Sequence, residues 1–171
     1  MTIKPCTKED IEDLIRVAAQ SYREHYPYLW EDGGAEWYIA TNFNAEKLAE
    51  EISDPNAAFY LIHNGQKHVG FMKLNIDSAT GDFSADAALE LERIYFIKEA
   101  AGKGLGKEAI DFVLNYAKQI HKSVIWLKAM DSSTAVEFYK KRGFRVIGET
   151  KLDYTALRNE YRKMFVMALQ L

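Results

Sequence analysis

The junction between Glu92 and Lys118, "ERIYFIKEAAGKGLGKEAIDFVLNYAK", most constrains the fold of this chain. An apolar run ends there, glycines follow at alternating positions, and a helical pattern begins at once. Such glycines let the backbone turn with its N–H groups exposed, and the following helix adds the positive end of its dipole. Lys103 and Lys107 add positive charge. The junction predicts a pyrophosphate-binding site; the alternative is a glycine-rich turn whose lysines face water.

Two common nucleotide-binding motifs are excluded at this junction. In a P-loop, G-x-x-x-x-G-K-[ST], that began at Gly102, the second glycine would fall at position 107 and the lysine at position 108. This chain has Lys107 and Glu108 there. The dinucleotide fingerprint G-x-G-x-x-G fails because Lys107 also stands at its third glycine. The chain is therefore not predicted to be a nucleoside triphosphatase or a dinucleotide-binding enzyme.

The rest of the chain predicts a mixed sheet with helices on its faces. Asn64-Gly65 joins two alternating apolar segments and is a strong hairpin signal, because both residues tolerate positive φ. Thr7 and the acidic residues after it cap a first helix, whereas the aromatic segment from Tyr22 to Phe43 shows no regular period. The predicted order is β-α-α-β-β-β-α-β-α-β-β, with an antiparallel closing pair.

Length and charge limit the classes of function. The 171 residues, of which 48% are hydrophobic, suit one domain over residues 1–171. A net charge of -3 argues against a dedicated nucleic-acid binder. A single cysteine, Cys6, and an N-terminus without an apolar segment favour the cytoplasm. No apolar run reaches the length of about 20 residues that a membrane-spanning helix needs, so no membrane association is expected.

Two motifs carry a resemblance to a known family. "AGKGLG", Ala101 to Gly106, is similar to [R/Q]-x-x-G-x-[G/A], and "SSTAVEFYKKRGF", Ser132 to Phe144, is similar to N-x-x-A-x-x-[F/L]-Y-x-x-x-G-F. The chain resembles the GCN5-related N-acetyltransferase (GNAT) superfamily, with departures at Ala101 and Ser132. "DPNAAFYLI", "VGFMKLN" and "EFYKKRGF" further resemble PaiA-type spermidine/spermine acetyltransferases. This implies an α/β fold, a mostly antiparallel mixed sheet of about seven strands flanked by about four helices.

The resemblance implies an acetyl-CoA-dependent N-acetyltransferase acting on a primary amine such as a polyamine, with no metal. Glu92 aligns with a glutamate that serves related enzymes as a base, acting through water. Glu90, on the same strand face, is the competing candidate. The alternative for Glu92 is a plain ion pair with a lysine or arginine of a neighbouring element. Tyr139 is the expected proton donor to the departing thiolate. The alternative is that Tyr139 is a packed aromatic residue whose hydroxyl is hydrogen-bonded.

The resemblance also assigns residues to the two substrates. Backbone N–H groups at a bulge in the fourth strand are expected to bind the thioester carbonyl and pantetheine. The residues expected to bind the coenzyme are Ile94, Tyr95, Phe96, Gly102, Lys103, Gly104, Leu105, Gly106, Lys107, Ser132, Ala135 and Lys141. Those expected to line the acceptor cleft are Tyr28, Trp30, Trp37, Tyr38 and Glu90, where aromatic faces and acidic neighbours suit a cation. The alternative is that these rings form a cap packed into the core.

Other functions remain open at this point. The acceptor could be a protein lysine, an N-terminus or another small amine such as an aminosugar, and the loop "DYTALRNEYR" is neutral to basic, which suits a polycation poorly. A different class is a coenzyme A-binding sensor without turnover, although a chain with both Glu92 and Tyr139 favours turnover. An exposed strand edge near the C-terminus permits a homodimer.

Overall fold

A computed structural model describes residues 1–171. The chain forms five α-helices and seven strands. The helices are α1 Ile11–His25, α2 Gly34–Asn42, α3 Ala45–Ser53, α4 Leu105–Gln119 and α5 Ala135–Lys141. The strands are β1 Thr2–Pro5, β2 Ala57–Asn64, β3 Lys67–Asn75, β4 Ala88–Phe96, β5 Val124–Met130, β6 Arg145–Lys151 and β7 Lys163–Gln170.

All seven strands form one sheet in the order β1-β2-β3-β4-β5-β7-β6. Every neighbouring pair is antiparallel except β4 and β5, which are parallel because α4 carries the chain back across the sheet between them. The predicted mixed, mostly antiparallel sheet is confirmed. The predicted hairpin at Asn64-Gly65 is also present, with Gly65 at a φ of 63° in the turn between β2 and β3.

The aromatic segment differs from the prediction, because it contains one more helix than the sequence pattern indicated. α1 continues through Tyr22 to His25, and α2 occupies residues 34–42. Apolar and aromatic residues of α2 are not confined to one stripe, so helical periodicity does not reveal this element. Tertiary packing of its rings, rather than an amphipathic pattern, accounts for the helix.

The local signals at helix ends match the structure. The Thr7 and Asp10 side chains and backbone N–H groups form a reciprocal capping box immediately before α1. Gly143, at a φ of 91°, follows the last residues of α5 and donates its N–H to the carbonyl of Lys140 at 3.0 Å. The box caps the short 3₁₀ helix Lys8–Asp10, which leads directly into α1, and Gly143 marks where α5 ends.

The core lies on both faces of the central strands. α1 packs on β3 and β4, and α4 places Ala109, Ile110, Val113 and Ala117 against the opposite face, all fully buried. None of the five helices has the length and apolarity needed to span a membrane.

The feature that positions the site is a separation of the two parallel strands. β4 and β5 pair only from Ala88 with Val124 to Leu91 with Leu127. Beyond these residues β4 continues along β3, whereas β5 continues along β7. The sheet therefore opens between Glu92–Phe96 and Lys128–Met130.

Candidate active site

The opening exposes backbone groups of β4. Ile97 donates its N–H to the carbonyl of Val69 on the β3 side at 2.9 Å. Backbone N–H groups alternate in direction along an antiparallel strand. The N–H of Tyr95 therefore also points toward β3, whereas the N–H groups of Ile94 and Phe96 point into the opening. Of the three residues predicted to present backbone N–H groups, Ile94 and Phe96 therefore offer donors there. Tyr95 lines the cavity beside the opening with its side chain.

A bulge in β4 places Glu92 at this opening. Lys73 of β3 pairs with Arg93, and the next residue, Leu74, pairs with Leu91, so Glu92 has no partner opposite it. Alternation alone would put Glu92 and Arg93 on opposite faces of the sheet. The bulge instead brings both side chains together, with Arg93 Nη2 at 3.1 Å from Glu92 Oε1.

Glu92 belongs to a buried network of four charged side chains. Lys73 Nζ lies 2.6 Å from Glu92 and 3.3 Å from Glu51 of α3. Arg93 donates to both carboxylate oxygens of Glu51, at 2.9 and 3.2 Å. Two carboxylates thus face two buried cations, and the more exposed Lys47 adds a longer contact of 3.9 Å to Glu51. The ion-pair alternative for Glu92 is present in the structure, and the base role stays a prediction.

The network sets the protonation of Glu92. Burial by itself raises the pKa of Glu92, but the charges of Arg93 and Lys73 and the hydrogen bonds from Lys73 and Asn75 hold the pKa below its usual value. Glu92 is therefore ionised at neutral pH. A low pKa keeps a carboxylate able to accept a proton but makes it a weaker base.

Glu90 lies beside Glu92 and shares one partner with it. The Asn75 side-chain NH₂ donates to Glu90 Oε2 at 2.8 Å and to Glu92 Oε2 at 2.9 Å. Glu90 also accepts from Ser78 at 3.1 Å and lies 3.5 Å from Lys128 Nζ. As the period-two rule predicts, the two glutamates share one side of the sheet, and Asn75 fixes their separation.

Tyr139 faces the same cavity from α5. The residue is only 8% exposed, and no group of the chain forms a hydrogen bond with its hydroxyl. The hydroxyl is not fully enclosed, because the one fully buried side-chain polar atom without a partner is Arg142 Nε. Burial and the nearby Tyr26 raise the pKa of the Tyr139 hydroxyl well above its usual value. Tyr139 is therefore a neutral O–H donor with its hydrogen-bonding capacity free.

The cavity that contains these groups has a volume of about 330 Å³. One wall is aromatic: the Tyr22 and Tyr38 rings stack at 4.5 Å, and Trp30 Nε1 donates to the Tyr22 hydroxyl at 3.0 Å. The residues that line the cavity include Tyr22, Tyr26, Tyr28, Trp30, Tyr38, Glu90, Glu92, Ile94, Tyr95, Lys128, Ala135, Tyr139 and Tyr154.

The predicted acceptor residues divide into two groups. Tyr28, Trp30, Tyr38 and Glu90 line the cavity, and Trp30 is at the same time a core residue, only 3% exposed. Trp37 does not line the cavity; the residue is 48% exposed, and its ring centre lies 6.2 Å from that of Trp30. The structure thus brings together all the predicted acceptor residues except Trp37.

The glycine junction forms a separate exposed surface at the start of α4. Gly102 and Gly104 have φ values of 74° and 78°, and Gly104 caps α4 in the left-handed conformation. No backbone carbonyl accepts from the consecutive N–H groups of residues 102–106, and the first N–H bonded is that of Lys107. A Cβ at Gly102 or Gly104 would meet no atom within 4 Å. This open row of free donors fits a pyrophosphate.

The other predicted coenzyme residues lie around these two surfaces. Lys103, Lys107 and Lys141 are exposed, and Leu105 is buried under the first turn of α4. Gly106 follows Leu105 and approaches Phe138 of α5, whose ring would lie 3.7 Å from a Cβ there. Ser132 is exposed, while its neighbour Ser133 lines the cavity and accepts from the Ala135 N–H at 3.1 Å.

Several residues of the site were missed in the sequence. Lys73 and Asn75 stand two apart in β3, whose other residues from Val69 onward are apolar, and that spacing was the signal that two polar side chains share one face. Glu51 and Lys128 gave no comparable signal, because charged residues on a helix or strand end are usually solvated. No group of metal-ligating side chains is present.

Comparisons with known proteins agree with this geometry. Residues 15–144 match the acetyltransferase (GNAT) family. The chain is 29% identical over 153 residues to the spermidine N(1)-acetyltransferase of Thermoplasma acidophilum, covering 84% of this chain and 88% of that protein. It is 26% identical over 144 residues to an uncharacterised N-acetyltransferase of the pepI 3′ region of Lactobacillus delbrueckii subsp. lactis, covering 84% and 83%.

A solved structure extends the likeness to the whole chain. The PaiA N-acetyltransferase of Thermoplasma acidophilum in complex with coenzyme A superposes with a TM-score of 0.77 at 25% identity, covering 100% of both chains. The chain belongs to the acetyltransferase (GNAT) family and is an N-acetyltransferase whose co-substrate is acetyl-CoA.

Proposed function

We propose that this enzyme acetylates a cationic primary amine, such as the polyamines spermidine and spermine, by direct attack of the amine on the thioester. The observation that carries the proposal is the pair of carboxylates, Glu90 and Glu92, held by one Asn75 side chain in an aromatic-walled cavity at the strand opening. Carboxylates and aromatic faces are the groups that attract an organic ammonium ion. The relative named spermidine N(1)-acetyltransferase, from Thermoplasma acidophilum, supports the same class of acceptor by its name.

The residues of this chain suit acetyl-CoA in two places. The free N–H groups of residues 102–106 and the N-terminus of α4 would hold the pyrophosphate, with Lys103 and Lys107 adding charge. The N–H groups of Ile94 and Phe96 would bind acceptor oxygens of the pantetheine arm and the thioester carbonyl. Ser132, Ala135 and Lys141 would border the coenzyme. Acetyl-CoA supplies an acetyl thioester, which an uncharged amine can attack.

The side chains then have to move two protons. The amine is protonated at neutral pH and must lose a proton before it attacks. Glu92 would accept this proton through a water molecule, and its weakness as a base is offset by its being ionised throughout the physiological range. Glu90 is the competing acceptor. Tyr139, neutral and with a free hydroxyl, would donate to the departing thiolate.

The acceptor class is tested first with wild-type enzyme. Release of coenzyme A from acetyl-CoA is followed with a thiol reagent in the presence of spermidine, spermine, putrescine, a lysine peptide or an aminosugar. We expect the highest kcat/KM with a polyamine. A preference for the lysine peptide or aminosugar would replace the proposed substrate, and acetyl-CoA binding without release for any amine would identify a sensor.

The roles of the two glutamates are separated by matched variants. Glu92→Gln is expected to lower kcat by about a hundredfold with unchanged acetyl-CoA affinity, and most strongly at low pH, where the amine is most protonated. Glu51→Gln removes the same charge from the same network but does not line the cavity. If both variants lose activity equally, the effect is loss of the ion network rather than of a base. If Glu90→Gln gives the larger kcat loss, the base is Glu90.

A further inference from the structure

Lys128 differs from the other lysine of the site in how it is held. Lys73 has a side-chain exposure of 10% and is fixed between Glu51 and Glu92 at 3.3 and 2.6 Å. Lys128 extends from β5 just beyond the last β4–β5 pair and has a side-chain exposure of 45%. Its one polar partner is Glu90, at 3.5 Å, the upper limit for a hydrogen bond. Lys128 is therefore a weakly held cation at the cavity wall.

The carboxylate that Lys128 contacts is fixed and lacks a buried cation. The Glu90 side chain is only 9% exposed and is oriented by Asn75 and Ser78. Lys73 and Arg93 pair with Glu51 and Glu92, and Lys47 lies 3.9 Å from Glu51, so none of these cations pairs with Glu90. Its charge is compensated only by the exposed ammonium of Lys128.

The surroundings of Lys128 resemble a site for an organic ammonium ion. Its Nζ lies 5.1 Å from the centre of the Trp126 ring, and the Trp126 Nε1 donates to the Ser78 carbonyl at 2.7 Å. Ser78 also donates to Glu90, so the ring and the carboxylate are held by the same residue. A fixed carboxylate beside an aromatic face would receive a ligand ammonium by the same interactions.

We propose that Lys128 is a displaceable internal cation, whose ammonium occupies the position at Glu90 that the second ammonium of a diamine or polyamine acceptor takes. This inference rests on the proposed function. An acceptor with one positive charge has no second ammonium to exchange with Lys128. Lys128 thus sets how strongly the enzyme prefers acceptors with two charges over acceptors with one.

The test compares putrescine with butylamine, which has the same carbon chain but one amino group, in wild type and Lys128→Met. Removing the competing ammonium is expected to raise the ratio of the butylamine KM to the putrescine KM by about two- to fivefold, the range typical of exposed ion pairs. Lys128→Arg keeps the charge and is expected to retain the wild-type ratio. An unchanged or lower ratio in Lys128→Met would overturn the proposal.

Lys163 offers a matched control on the same sheet. Its Nζ lies 2.9 Å from Glu149 and 5.3 Å from the Phe165 ring centre, and its side chain is 41% exposed, but neither charged residue lines the cavity. Lys163→Met removes the same charge and is expected to leave the KM ratio as in wild type. An equal rise in both variants would show a general electrostatic effect and would also refute the proposal.

Calorimetry of putrescine binding separates this proposal from the proposed function. If the wild type acetylates polyamines but Lys128→Met binds putrescine no more tightly, the internal cation is refuted and the proposed function stands. If no diamine is acetylated, the polyamine assignment fails. Tighter putrescine binding by Lys128→Met would then still support the displaceable cation, and unchanged binding would refute it.

Discussion

Replacing Gly104 by Val tests whether the glycine junction binds the coenzyme. Gly104 has a φ of 78°, where a side chain is strained, and its Cβ position is open space beside the free N–H groups of residues 102–106. The valine is therefore expected to have two effects. It strains the backbone, and its methyl groups keep a pyrophosphate from those donors.

The two effects have different sizes. A left-handed residue with a Cβ costs about 1–2 kcal/mol of folding free energy, which lowers the melting temperature by roughly 2–8 °C in a domain of this size. A hydrogen bond to a charged group contributes about 1.5–3 kcal/mol, so losing two N–H bonds to the pyrophosphate costs about 3–6 kcal/mol. At about 1.4 kcal/mol per factor of ten, the coenzyme A dissociation constant should rise at least about a hundredfold.

Gly33 is the matched control for strain. It caps α2 in the left-handed conformation with a φ of 79°, and its Cβ position is equally open. Coenzyme A binding is measured by calorimetry, and unfolding by thermal melting, for Gly104→Val and Gly33→Val. Similar losses of melting temperature are expected, with the affinity loss confined to Gly104→Val. Wild-type affinity in Gly104→Val, or an equal loss in both, would refute the assignment.

Three further predictions concern the ion network and the proton donor. Arg93→Met leaves the Glu51 and Glu92 carboxylates to share Lys73 as their one buried cation, and should lower the free energy of unfolding, measured in urea, by about 3–5 kcal/mol. Arg23→Met breaks an exposed pair with Glu36 and should change that free energy little. Because the pKa of Glu92 is lowered on folding, its ionisation stabilises the fold above its ordinary pKa near ~4.3, and that stability is lost as the pH falls through the lower folded value. Denaturation at a series of pH values should accordingly show that the free energy of unfolding falls more steeply with acid in wild type than in Glu92→Gln. Parallel plots of this free energy against pH would contradict the ion pairing. Tyr139→Phe should lower kcat by about a hundredfold without weakening acetyl-CoA binding. The control is Tyr116→Phe, since Tyr116 packs near Tyr60 and does not line the cavity, and an undiminished kcat in Tyr139→Phe would exclude the donor role.

Much of the fold could be predicted from local signals. The capping box at Thr7, the hairpin at Asn64-Gly65 and the stop at Gly143 depend on a few neighbouring residues, so the sequence specifies them directly. The helix α2 could not be predicted in this way. Its rings are held by contacts with other elements, among them Tyr38 with Tyr22 and Trp37 with Trp30, and those contacts exist only in the folded chain.

The candidate site was predictable in its residues but not in its pairings. Glu90, Glu92 and Tyr139 were singled out in the sequence, and all three line one cavity. Trp37 was assigned to the acceptor cleft with the other rings of its segment, yet it does not line the cavity. Spacing within a short helix does not tell which ring faces inward when several faces are apolar.

The sequence by itself determined the order of the seven strands, the glycine junction and the family, because these depend on local pattern and motif. Tertiary structure decided which charges meet. A one-residue bulge at Glu92 brings the Glu92 and Arg93 side chains to the same side of the sheet, and α3 adds Glu51 from a distant part of the chain. Register and bulges are set by the packing of whole strands, so the balance of charge in the site could be read only from the folded chain.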